Sequence, residues 1–128
     1  MWSFPRLAAA IVLLASTQAA GAAEKHSFTS KAFGAAQSAG QSILVEIHAS
    51  WCPVCKKQKV ILNELESAAK FDGLKVLEVD FDKQKNVVKS FAVTNQSTLI
   101  AFKNGRETGR LVGTTDPEKI ANLLEKTL

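Results

Sequence analysis

The segment Ile43-Leu44-Val45-Glu46-Ile47-His48 is a short, nearly continuous apolar run rich in branched side chains. A strand with one wet face alternates apolar and polar residues, so a run that does not alternate fits a strand covered on both faces in the middle of its sheet. Such a strand needs helices above and below it, and the rest of the chain supplies them. Residues 30–38 read as a short helix capped by Thr29 or Ser30, with Phe33 turned inward. From Pro53 to about residue 71, Val54, Ile61, Leu62, Leu65, Ala68 and Ala69 recur at helical spacing while Lys57, Lys59, Asn63 and Glu66 fall elsewhere, and Gly73 is placed to end that helix. Residues 74–79 read as a second central strand, and 83–91 as a helix capped by Asp82 with Val87, Val88 and Phe91 inward. Asn104-Gly105 favours a tight hairpin turn between strands at 99–103 and 106–112. Asp116-Pro117-Glu118 opens a last helix with Ile120, Leu123, Leu124 and Leu128 on one face. This order predicts an α/β fold, a central mixed β-sheet flanked by helices on both faces.

One domain is expected, because the 128 residues contain no internal repeat and no Pro- or Gly-rich linker, and a chain of about this length supports a single core. Residues 1–22 read as a secretory signal peptide. Arg6 gives a positive start, residues 7–15 an apolar run, and Ala20-Gly21-Ala22 a small-x-small cleavage site. Ser16, Thr17 and Gln18 interrupt the run short of the roughly 20 residues a spanning helix needs. Cleavage, leaving a periplasmic domain of residues 23–128, is therefore favoured over an uncleaved anchor that holds the domain to the membrane facing the periplasm. The net charge of +4 is spread over lysines along the chain, with Lys56, Lys57 and Lys59 its one dense group, and there is no Tyr for a base-stacking platform. Nucleic acid is not an expected partner.

The chemistry is concentrated in Trp51-Cys52-Pro53-Val54-Cys55-Lys56. Two thiols three positions apart are a structural bridge, part of a metal site or a redox couple. A structural zinc needs four ligands, and only His26 and His48 are available beyond the two cysteines. A covalent haem calls for His straight after the second Cys, where Lys56 stands. A bridge over so short a loop stabilises little. The redox reading is favoured, with no metal expected. Cys52 falls between the buried strand and the long helix, near unpaired N–H groups and the positive end of the helix dipole, which favour thiolate over thiol. Cys52 is accordingly expected to be an exposed attacker, and Cys55, one turn further in, a more buried resolving thiol. Pro53 in the first helical turn costs no needed hydrogen bond and stiffens the loop between the sulfurs.

The stretch from Ile43 to Lys56, a buried strand with an acidic residue that runs into Trp-Cys-x-x-Cys-Lys, resembles the active-site segment of the thioredoxin family. Ser97-Thr98-Leu99-Ile100-Ala101-Phe102-Lys103-Asn104-Gly105 is similar to that family's Pro-Thr-hydrophobic-Phe-x-x-Gly hairpin, and Val112-Gly113 to its substrate-lining glycine. The resemblance extends over essentially all of residues 23–128. It implies the thioredoxin fold and a thiol:disulfide oxidoreductase whose redox group is the Cys52–Cys55 pair itself, with no dissolved cofactor. It places Glu46 at the family's buried-acid position behind the resolving cysteine. A carboxyl on an apolar strand has a raised pKa, which suits proton exchange with Cys55. Trp51, Pro53, Ser97, Thr98 and Gly113 are then expected to meet substrate. His48, on the same strand face as Glu46, is a candidate to tune protonation. Ser97 departs from the pattern, because the family has a cis proline there. A non-proline cis bond costs about 2.5–4 kcal/mol, so either strain is stored at Ser97 or the loop is trans and shaped differently. The Ser97 hydroxyl or N–H is also a candidate donor to the Cys52 sulfur.

The implied partners are protein disulfides, aligned by strand-like pairing near Ser97 and Thr98, and a membrane thiol–disulfide electron-transfer protein that recharges the dithiol of a monomer. Pro53-Val54 lacks the histidine of strongly oxidising relatives, and no helical domain is inserted. A reductant carrier is favoured, with a disulfide oxidase or isomerase, or a non-catalytic binding or metal-handling module, as the alternatives.

Overall fold

The computed structural model describes residues 22–128, so the expected signal peptide lies, apart from Ala22, outside the described residues. In chain order the elements are β1 (Glu24–Ser27), α1 (Ser30–Ser38), β2 (Ile43–His48), α2 (Pro53–Glu66), a single 3₁₀ turn (Ala69–Phe71), β3 (Lys75–Asp80), α3 (Lys85–Ser90), β4 (Thr98–Lys103), β5 (Arg106–Val112) and α4 (Pro117–Glu125). The five strands form one mixed sheet in the order β1-β3-β2-β4-β5. β2 is its centre, parallel to β3 and antiparallel to β4, as its unbroken apolar run requires.

Because side chains alternate along a strand, β2 feeds two cores. Ile43, Val45 and Ile47 join Phe28, Leu77, Val79, Val88, Ile100 and Phe102 on the face covered by α1 and α3. Leu44 joins Leu62, Phe71, Val76, Leu99, Ile120, Leu123 and Leu124 on the face covered by α2 and α4. Glu46, two residues after Leu44, shares its face and so points toward α2. The sheet with helices on both faces is the architecture expected from the sequence.

Three details differ from expectation. β1 is a strand that the sequence pattern does not announce. Its residues carry no apolar pattern, and it is held by backbone pairing with β3 and by Lys25, whose ammonium reaches Glu66 at 3.1 Å. α2 stops at Glu66 instead of running to about residue 71. Ser67 turns its hydroxyl back to the Glu64 carbonyl, Ala68 becomes extended, and the 3₁₀ turn then drops Phe71 into the core. Glu66 therefore lies on the buried face of α2, with Ala68 and Ala69 exposed. α3 begins at Lys85 without a side-chain cap; Asp80 collects the N–H groups of Asp82 and Lys83, and Asp82 is engaged elsewhere. The hairpin turn forms as expected, with positive φ at both Asn104 (51°) and Gly105 (76°), as a twisted two-residue loop demands.

Candidate active site

β2 ends at His48 and the chain turns through Ala49, Ser50 and Trp51 into α2, so the sheet's central strand delivers both cysteines to a helix start. Cys52 is the N-cap of α2 and Pro53 its first helical residue. The Cys52 sulfur accepts the Cys55 N–H at 3.1 Å, one of the donors that a helix start leaves free. The two cysteines are joined as a disulfide with Cα atoms 5.3 Å apart. In this oxidised state the expectation of an exposed Cys52 and a deeper Cys55 is not met. Both are buried, 2% and 5% exposed, because the closed pair packs as a unit against Ala49, Val54 and Phe81.

Trp51 is exposed beside the pair, and its indole N–H donates to Asp82 at 2.7 Å. Asp82 thus faces the Trp51 indole and stands two residues ahead of Gln84, the N-cap of α3. Pro53 is exposed next to it, on the outer surface of the helix start.

Glu46 is buried at 2% exposure, and its Oε2 has no hydrogen-bond partner. Burial, reinforced by the neighbouring Glu78 carboxylate, pushes its pKa up to about 7, against the opposing pull of Lys25 and Lys59. Glu78 sits directly opposite Glu46 in the β2–β3 register. It is itself met by Lys59 at 3.7 Å and His48 at 3.9 Å. A cleft of about 260 Å³ is lined by Glu46, His48, Cys55, Lys56 and Lys59 among others. The acid and the second cysteine thus share one opening to solvent. A group that changes protonation near neutrality beside a thiol is placed to take and return its proton.

The peptide bond before Ser97 is trans, since no cis bond occurs among the described residues, and Ser97 takes φ 57°. Of the two alternatives drawn from the sequence, the differently shaped trans loop is the one observed. The left-handed region is costly for any residue with a Cβ. Ser97 engages its surroundings through its carbonyl, which accepts the Gly113 N–H at 3.0 Å. The bond to the Cys52 sulfur comes from Cys55, not from the Ser97 hydroxyl or N–H. Gly113 has φ 69°, which favours glycine there on backbone grounds alone. Thr98 is buried and donates its hydroxyl to the Asn95 carbonyl at 2.7 Å.

Reasoning from the sequence missed one group that organises this end of the molecule. Gln58, 1% exposed, donates to the Ser97 carbonyl at 3.0 Å and the Thr114 carbonyl at 2.9 Å. The signal was available: Cys55, Gln58, Leu62 and Glu66 follow one another at helical spacing, so a polar residue stood on the stripe that carries Cys55 inward.

Comparison with known proteins agrees with this geometry. The family model described as Thioredoxin matches residues 24–126. The Thioredoxin of Chlamydia trachomatis serovar D is 33% identical over 84 residues, covering 66% of this chain and 80% of the relative. That of Staphylococcus saprophyticus is 36% identical over 86 residues, covering 66% and 81%. The crystal structure of Trxlp from Edwardsiella tarda EIB202 superposes with a TM-score of 0.77 at 39% identity, covering 79% of this chain and 98% of that one.

Proposed function

We propose that this chain, which belongs to the thioredoxin family and is a thiol:disulfide oxidoreductase, works as a reductant carrier for protein disulfides outside the cytoplasm. The observation that carries the reading is the pairing of a helix-capping Cys52 with a buried Glu46 that shares a cleft with Cys55. The Cys52 thiolate attacks one sulfur of a substrate disulfide, and the other substrate sulfur leaves as a thiolate and is protonated. Cys55 passes its proton to Glu46 and attacks the Cys52 sulfur, breaking the mixed disulfide. The substrate departs as a dithiol and Cys52–Cys55 is left oxidised, so two electrons have moved. A membrane dithiol protein restores the reduced pair, and no dissolved cofactor takes part.

Trp51, Pro53 and Gly113 form the substrate-facing surface in this reading, with the buried Ser97 and Thr98 contributing the backbone behind it at the head of β4. Support for the reducing direction comes from Pro53-Val54, which lacks a histidine between the cysteines, and from the short α3 connection, which inserts no extra domain between β3 and β4. Support for export comes from the charged, apolar and small-residue sequence of residues 1–22. The domain acts as a periplasmic monomer once that segment is removed.

Insulin disulfide reduction driven by dithiothreitol tests the activity, and abolition of turnover in Cys52→Ser is expected. Titration of the pair in glutathione redox buffers tests the direction. A potential near thioredoxin's, about −270 mV, supports a reductant, and one near about −120 mV replaces it with an oxidase.

A further inference from the structure

Gln58 offers two amide hydrogens, and both are used, on carbonyls of two different loops. An amide on the inward face of a helix is costly unless its donors are satisfied, so the side chain is held as firmly as it holds. The loop before β4 and the loop after β5 are thereby tied to α2 one turn beyond Cys55. The Ser97 carbonyl takes a second bond from the Gly113 N–H, so two donors aim it from two directions. That carbonyl belongs to the peptide unit from which β4 starts, and fixing it fixes the plane of that unit.

Ser97 is a residue that needs such restraint. It stands in the left-handed region at φ 57°, after a trans peptide. It also lacks the ring by which a proline fixes its own φ. An unrestrained loop in this state would relax toward commoner backbone angles.

We propose that Gln58 is a positioning residue for extended protein substrates: by gripping the Ser97 and Thr114 carbonyls it holds the backbone at the head of β4 in the geometry with which a substrate strand pairs beside Cys52. This rests on the oxidoreductase reading above. Strand-like recognition draws its affinity from main-chain hydrogen bonds, so a displaced peptide plane weakens binding and leaves the sulfur chemistry in place. The consequence is selectivity between substrates. A peptide disulfide needs the grip, and a small aromatic disulfide that makes no strand pairing does not.

Gln58→Met keeps the length of the side chain and removes both donors. With insulin or a disulfide-bonded peptide, KM is expected to rise about tenfold while kcat changes by less than about twofold, the pattern of lost binding without lost chemistry. The second-order rate with a small aromatic disulfide is expected to fall by no more than about twofold. In the oxidised protein the Gly113 amide is expected to lose about tenfold in hydrogen-exchange protection, with amides in the body of α2 unchanged. Gln58→Asn, which keeps the amide one methylene too short to reach both carbonyls, is expected to give the same pattern and serves if Gln58→Met does not fold. An unchanged KM, equal losses on large and small disulfides, or a fall in kcat alone overturns the proposal. An unchanged Gly113 amide overturns it independently of any turnover. A wild-type protein that reduces no disulfide at all would instead sink the oxidoreductase reading.

Discussion

Replacing Glu46 by Gln is expected to change stability in a way that depends on pH, and the size follows from the site. The carboxyl is 2% exposed, and burial together with Glu78 raises its pKa from 4.5 to about 7. Between those two values the folded protein holds a proton that the unfolded chain has released. Stability therefore falls as the pH rises above about 4.5, and the loss is complete above about 7. At about 1.4 kcal/mol for each tenfold change in proton affinity, the loss is roughly 3 kcal/mol. Gln cannot ionise and escapes it. Glu46→Gln is thus expected to lie within about 1 kcal/mol of wild type near pH 4.5 and to be roughly 3 kcal/mol more stable near pH 8.5. Glu66, whose pKa burial also raises, is present in both proteins, so its contribution largely cancels in the difference. Urea unfolding of the oxidised proteins at steps across that range measures the effect. A stability difference that stays constant with pH would refute the reasoning. The same variant is expected to resolve mixed disulfides roughly 10²-fold more slowly at neutral pH, because the proton of Cys55 has lost its acceptor. Exchange kinetics matching wild type across pH would remove that role from Glu46.

In the reduced protein, iodoacetamide at neutral pH is expected to alkylate Cys52 at least about tenfold faster than Cys55, since the helix start and the Cys55 N–H favour its thiolate. Peptide mapping reads the ratio, and equal rates contradict the assignment of Cys52 as attacker. Lys25→Met strips the cation from Glu66, which is 5% exposed and already has an unpartnered Oε1. A loss of about 1–3 kcal/mol near pH 8 is expected, shrinking as the pH falls and Glu66, whose pKa burial raises, takes up a proton, and a pH-independent loss would contradict the pairing.

The parts of the fold legible in the sequence are those whose residues announce a single environment. β2 has its unbroken apolar run, the β4–β5 hairpin its Asn104-Gly105 turn and α4 its Asp116 cap with an apolar face, and each lies where those signals put it. The helix-capping place of Cys52 was legible for the same reason, with a strand before it and Pro53 after it. What escaped was decided by tertiary partners. β1 is polar and exists because β3 has an edge to pair with. Asp82 does not cap α3, because Asp80 takes the N–H groups of Asp82 and Lys83 and the helix begins only at Lys85. The apolar periodicity sets Glu66 off the inward face and gives Gln58 no place, whereas both lie on the buried stripe with Cys55 and Leu62. The burial of Cys52 also escaped, because it comes from tertiary packing of the bonded pair against Ala49, Val54 and Phe81.

The inward stripe of α2 gives three of its four buried positions to Cys55, Gln58 and Glu66, leaving Leu62 as the one aliphatic peg, with Ile61 and Leu65 half-covered beside it. The neighbouring α4 sinks Ile120, Leu123 and Leu124 into the same layer. Labour on this side of the molecule is therefore divided: one helix reacts and the other anchors. On this side of the sheet a partial opening therefore costs less apolar burial at α2, which carries the second cysteine, than at α4.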